Sequence, residues 1–196
     1  MKTTKKFSLG LVSFLLMVFS VQTSIGQNFN INKGASNLKV LGTSNIHDWE
    51  IDAKDFQGNL KAQLEDGQLV KIDELNFAVV AESLKSGKGG MDKNTYKALD
   101  TDKHQRITFQ LQNVKNIDCT SKTNCKVTTS GYLTIAGTKK SVDLTFDAKV
   151  TGDKITLSGN HKLKMTDFKV DPPTAMFGTI TTGDEVNIKF QTVFTK

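Results

Sequence analysis

The chain of 196 residues is poor in the residues that usually carry chemistry: three histidines, two cysteines, two tyrosines and one tryptophan. Only two prolines occur and 37% of the residues are apolar, which excludes collagen, low-complexity disorder and a multi-pass membrane protein. No G-x-S-x-G, P-loop or dinucleotide fingerprint is present. Gly87-Lys88-Gly89-Gly90 looks superficially like a phosphate cradle, but no strand–loop–long-helix pattern surrounds it. Charge of one sign is also scarce. The formal net charge is +6, and removing Lys2, Lys5 and Lys6 with a leader leaves +3, which is not the footprint of a nucleic-acid binder.

Long hydrophobic runs are missing too, with one short exception. Leu9 to Val21 forms an apolar stretch of about 13 residues behind three lysines, well short of the ~20 that a membrane span needs. Ser24-Ile25-Gly26 places small residues at −3 and −1 of a cleavage site. Residues 1–26 therefore read as a removed signal peptide and 27–196 as a single domain, periplasmic or secreted and not an integral membrane protein. In an oxidising compartment Cys119 and Cys125, in a polar stretch between two strand-like runs, point to a disulfide at a hairpin tip. A metal site would need two further ligands, and no histidine is near in sequence.

What the chain does have is alternation. Leu75, Phe77 and Val79 share one phase, as do Ile107, Phe109 and Leu111. Val142, Leu144, Phe146, Ala148 and Val150 alternate with Asp143, Thr145, Asp147 and Lys149. Ile155, Leu157, Gly159, His161, Leu163 and Met165 continue the pattern, and Val186, Ile188 and Phe190 end it. Period-two alternation predicts strands with one buried and one wet face. Glu65-Asp66-Gly67, Ala136-Gly137-Thr138 and Thr151-Gly152-Asp153 are hairpin signals, and Thr182-Gly183-Asp184 reads as a turn before the last strand. Met91, Tyr96 and Leu99 have helical spacing, which predicts a short helix inserted between strands. The fold class is all-β, a sandwich or a closed up-and-down barrel.

Three histidines are the candidates for polar work. His47 and Asp48 are neighbours, so on a strand they would point to opposite faces; a turn with Asn45 or Asp48 capping backbone groups is the simpler reading. His104 falls in a polar segment and reads as solvated. His161 lies in phase with Leu157 and Leu163, as a core histidine or a contact for the polar end of a ligand. Phe77, Phe109, Phe146, Phe168, Phe177 and Phe190 would either fill a core or wall an apolar tunnel, and alternation does not choose between the two.

The ordered segments resemble the YceI-like family of secreted polyisoprenoid-binding proteins. The resemblance rests on Gly42-Thr43-Ser44 with His47-Asp48-Trp49, then Phe56 and Gly58, then Met91 to Leu99 and Ile107-Thr108-Phe109. Gly131 to Lys140, Phe168, Gly178 and Gly183-Asp184-Glu185-Val186 complete it. It implies an extended antiparallel lipocalin-like β-barrel of about eight strands, holding an isoprenoid or other long-chain lipid without catalysis, metal or cofactor. The implied wall residues are Phe77, Val79, Ile107, Phe109, Leu133, Ile135, Leu144, Phe146, Ile188 and Phe190. Leu157, Leu163 and Phe168 join them by phase and size. Trp49, Met91, Tyr96 and Leu99 would gate or line an opening, and His161 would meet a polar group. A homodimer is compatible with this reading. A filled barrel acting through its surface, as an envelope-stress or respiratory accessory protein, and an enzyme acting on a lipid through His47 or His161 are the rival readings.

Overall fold

The computed structural model describes residues 26–196, so the expected leader lies outside the described residues except for Gly26. The strands are β1 Gln27–Ile31, β2 Asn37–Ser44, β3 Trp49–Ala53, β4 Phe56–Glu65, β5 Gln68–Val80 and β6 Leu84–Lys85. After helix α1, Gly89–Leu99, come β7 Arg106–Ser121, β8 Asn124–Ile135, β9 Thr138–Thr151, β10 Lys154–Lys164, β11 Thr174–Ala175 and β12 Ile180–Thr195. All ladders are antiparallel, in the order β1-β4-β5-β7-β8-β9-β10-β12-β2-β3-β6, with β11 beside β12.

The expectation of a closed lipocalin-like β-barrel of about eight strands is corrected by this topology. The sheet has twelve strands. Eight of them make a ring, but the β1–β12 ladder is just Asn30↔Thr195 and Ile31↔Phe194, with one more bond from Asn32 N–H to Val193 O. The edge of β12 then passes to β2, and the sheet runs on through β3 to the two-residue β6. The reason lies in Lys33–Ala35, a 3₁₀ turn capped by the Asn32 side chain, which lifts the chain off the β12 edge between β1 and β2. Ser36 Oγ accepts from Val193 N–H at 2.8 Å and covers the gap. Two further ladders run only part-way: β5 and β7 pair over Asn76–Val80, and β9 and β10 part beyond Asp147↔Ser158. Thr182-Gly183-Asp184 is not a turn but an irregular stretch inside β12, where the register against β2 shifts.

Two apolar clusters occupy the interior. At the end bounded by the Asp66-Gly67 and Thr151-Gly152 hairpins, Phe29, Leu60, Leu69, Val127, Ile155 and Phe194 are packed to at most 1% exposure. Cys119 and Cys125 stand directly opposite in register and are joined by a disulfide beside this cluster. Closing so short a loop contributes roughly 2 kcal/mol. The second cluster gathers Ile51, Phe56, Val79, Leu84, Leu99, Phe168 and Val170 toward the opposite end, under α1. Phe177, expected in the core or a tunnel wall, is fully exposed instead.

Between the clusters, four aromatic rings of the cavity lining sit against glycines. Trp49 lies across Gly42, Phe77 across Gly58, Phe109 across Gly131 and Phe190 across Gly159, each on a neighbouring strand. A Cβ on Gly42 would fall 2.1 Å from the Trp49 indole, and one on Gly131 would fall 2.4 Å from the Phe109 ring. All four glycines occupy the inward phase of their strands, so each ring takes up space where a side chain is missing.

Gly131→Ala should therefore destabilise the fold by about 1–3 kcal/mol, because the new methyl overpacks the Phe109 ring. Chemical denaturation of Gly131→Ala, Phe109→Leu and the double variant checks it. The double variant should cost less than the two single changes together. Strictly additive costs would show that the ring does not rest on the glycine.

Candidate functional site

Inside the ring, between the packed end and α1, lies a cavity of about 630 Å³. That is the size range of small-molecule sites, roughly 300–1,000 Å³. Of the residues singled out in the sequence, Phe77 and Val79 from β5, Ile107 and Phe109 from β7, and Leu133 and Ile135 from β8 line one side. Leu144 and Phe146 from β9, Leu157, His161 and Leu163 from β10, and Ile188 and Phe190 from β12 line the other. Phe168 reaches in from the 3₁₀ turn that follows β10. Trp49, Met91 and Leu99 are in the lining as well.

Tyr96 is not, and its expected place at the opening is corrected. Its hydroxyl turns back to the Glu82 and Leu84 carbonyls at 2.8 and 3.0 Å, and Lys85 Nζ donates to it. Tyr96 thus pins α1 to the β5–β6 connection. Asp92 makes a second pin, accepting from Ser86 N–H at 2.8 Å and Ser86 Oγ at 2.6 Å. Those two bonds hold the Asp92 carboxyl below its ordinary pKa. With the helix held at Asp92 and Tyr96, Met91, Thr95, Ala98 and Leu99 line the cavity as its cover. Asp100 ends the helix in the left-handed conformation, with the Thr101 N–H returning to Tyr96 O.

Polar groups gather at the open end. Ser44 ends β2 and His47 follows it in the turn to β3, Lys88 caps α1 and Asn94 lies within it, and Thr174 and Thr182 come from β11 and the start of β12. Deeper in, the lining is apolar apart from Thr108, His161 and Thr192, and Thr192 Oγ1 lies 3.4 Å from Leu157 O. His47 sits in a turn closed by Ser44, whose Oγ accepts from the Ile46 and His47 N–H groups. Ser44 thus closes the turn, while the Asn45 side chain caps backbone groups of another segment, Thr179 O and Thr181 N–H. The His47 Nδ1 lies 2.8 Å from the Asp48 carbonyl, so its hydrogen-bond partner there is backbone and not the Asp48 carboxylate. His104, expected in solvent, is half-buried with its ring against Gly137. Among the described residues no group of three or more His, Cys, Asp or Glu could hold a metal ion. No helix among them is long and apolar enough to cross a membrane.

Sequence reasoning missed part of the wall. Leu38, Val40 and Ile51, on β2 and β3, line the cavity near the opening, as do Met165 and Val170 around the 3₁₀ turn. Leu38-Val40-Gly42 and Trp49-Ile51-Ala53 do alternate in the sequence, and their role depends on the register of β2 against β12 and β3.

The sequence profile of the YceI-like domain matches residues 26–194, and the chain belongs to the YceI-like family. Three solved structures share its fold. BcnA of Burkholderia cenocepacia is 18% identical with a TM-score of 0.66, over 83% of this chain and 98% of its own. A polyisoprenoid-binding domain from Saccharophagus degradans, implicated in plant cell wall breakdown, is 11% identical with a TM-score of 0.63, over 85% and 97%. The Campylobacter jejuni YCEI protein is 18% identical with a TM-score of 0.52, over 98% and 99%. No curated protein matches the chain.

Burial holds the His161 imidazole below its ordinary pKa of 6.5. As the pH falls, the unfolded chain takes up a proton at this position before the folded one does. Stability from a neutral His161 is therefore complete above about pH 6.5 and is lost as the pH falls through the lower native value. The melting temperature of the wild type should drop across that window more steeply than that of His161→Leu. Parallel pH profiles would contradict a buried, neutral His161.

Proposed function

We propose that this member of the YceI-like family is an exported, non-catalytic carrier that holds a long isoprenoid or similar apolar chain in its cavity. The carrying observation is the cavity of about 630 Å³, apolar in depth with polar groups at its open end. A chain entering it gains about 0.8 kcal/mol per buried CH₂, offset in part by the cost of association. Affinity then comes from length and needs few polar contacts. The lining residues of β5, β7–β10 and β12 form the wall, Trp49, Met91 and Leu99 the opening, and His161 the polar group met part-way down. The polyisoprenoid binding of the Saccharophagus degradans domain, which shares this fold, favours an isoprenoid as cargo.

Export agrees with the disulfide, a bond of oxidising compartments. In this reading residues 1–26 are a leader removed on export, and 27–196 act alone as the carrier. The filled-interior alternative is disfavoured by the same cavity.

Trp49 is the chain's one tryptophan and borders the cavity, so its emission reports on filling. Titration with a long-chain prenyl alcohol should change that emission to saturation. Phe109→Asp places an unpaired carboxylate in the apolar wall and should weaken uptake at least tenfold. Phe109→Leu should bind nearly as the wild type does, which separates lost wall chemistry from a lost fold. A folded Phe109→Asp protein with undiminished uptake would remove Phe109 from the wall.

A further inference from the structure

We propose that the open end of the cavity is a membrane-contact surface, where Met176, Phe177 and Ile46 enter the face of a lipid bilayer. Four large hydrophobic side chains are exposed among the described residues: Ile46, Val70, Met176 and Phe177. Three of them belong to segments joined at this end. Ile46 is 60% exposed, Met176 69%, and Phe177 is fully out in solvent. Single exposed hydrophobics are ordinary, whereas a cluster at the mouth of an apolar cavity marks a contact site.

The tip is built to project. Met176 and Phe177 have φ of 50° and 56°, the left-handed region that L side chains enter only at a cost. Gly178 follows at 89° and returns the chain to β12. Asn45 ties the tip to the Ile46 turn: its Nδ2 donates to Thr179 O at 2.9 Å, and its Oδ1 accepts from Thr181 N–H at 3.0 Å. The residues on either side of the tip, Ala175 and Ile180, line the cavity together with Ile46. The exposed apolar tip therefore adjoins apolar lining of the cavity beside the polar rim.

Area and charge identify the occupant. A stable protein partner or second copy needs about 1,200 Å² of total buried surface, and a large aromatic side chain supplies only ~150–250 Å². A bilayer needs no matching surface and accepts a small apolar wedge. The segments at the opening carry both signs, with Lys88 and Lys169 against Asp48 and Asp171. A rim of mixed sign suits a zwitterionic bilayer and gives little attraction to an acidic polymer. The contact goes beyond the carrier reading, since it can be observed with no cargo bound.

The test is flotation of the protein, purified from its producing cells, with phosphatidylcholine vesicles at low and high salt. The wild type should float equally at both. The Met176→Ser/Phe177→Ser variant should partition at least tenfold less, with an unchanged melting temperature and unchanged uptake of prenyl alcohol from solution. Neither side chain lines the cavity, so a general loss of cargo binding would be a separate failure. The proposal is overturned by a wild type that stays with the unbound protein, by a variant that floats equally, or by binding that salt abolishes. It is also overturned by a concentration-dependent dimer that the same substitutions remove, which would assign the tip to a second copy.

Discussion

The interior stays open because aromatic rings rest on glycines. Inward-phase Trp and Phe side chains are large enough to meet across a ring of eight strands and fill it. Here Trp49, Phe77, Phe109 and Phe190 each lie against a strand neighbour that has no Cβ, so their area covers the wall and not the centre. The wall becomes smooth and apolar, and the space in the middle is left over. The same contact explains how a cavity of about 630 Å³ can coexist with well-packed strands. Each ring sits against a glycine of the neighbouring strand and also lines the cavity.

The two ends of the ring divide the work. The hairpin end is filled by Phe29, Leu60, Leu69, Val127, Ile155 and Phe194, and the disulfide closes a hairpin beside it. That packing supplies rigidity and a floor. The other end is made of connections: the β2–β3 turn, α1, and the segment from Met165 to Ile180. Connections tolerate polar groups and positive φ more easily than strands do, so the polar rim, the helical cover and the projecting tip all fall there. An apolar chain held by length, with its polar end at the rim, is what such a division of surfaces suits. The incomplete seam between β1 and β12 belongs to the same picture. The sheet that continues past it, β2-β3-β6, carries Trp49 and Ile51 to the opening, which a closed eight-stranded barrel would not have done.

Much of the wall was legible in alternation, because period two alone sorts Leu144 from Asp143 and Leu157 from Ser158. The short helix was legible in the spacing of Met91 and Leu99, although Tyr96 in the same pattern turned outward to the backbone of the preceding loop. The choice between filled and hollow was not legible. Gly42, Gly58, Gly131 and Gly159 stood in the inward phase for anyone to see, but which ring covers which glycine depends on register between distant strands. Closure was illegible for a related reason. The Asn32-capped turn that lifts the chain off β12 is a local feature, and its effect on the seam appears only when β1 and β2 compete for one edge. Phe177 misled because its hydrophobicity says nothing about a left-handed backbone that points it outward.

The most direct measurement is the native mass of the protein as it leaves its producing cells, followed by organic extraction. A hollow interior walled by rings on glycines predicts a species heavier than the polypeptide by one discrete increment, and a lipid of that mass in the extract. A bare polypeptide mass in every preparation, unchanged after incubation with prenyl lipids, would contradict it.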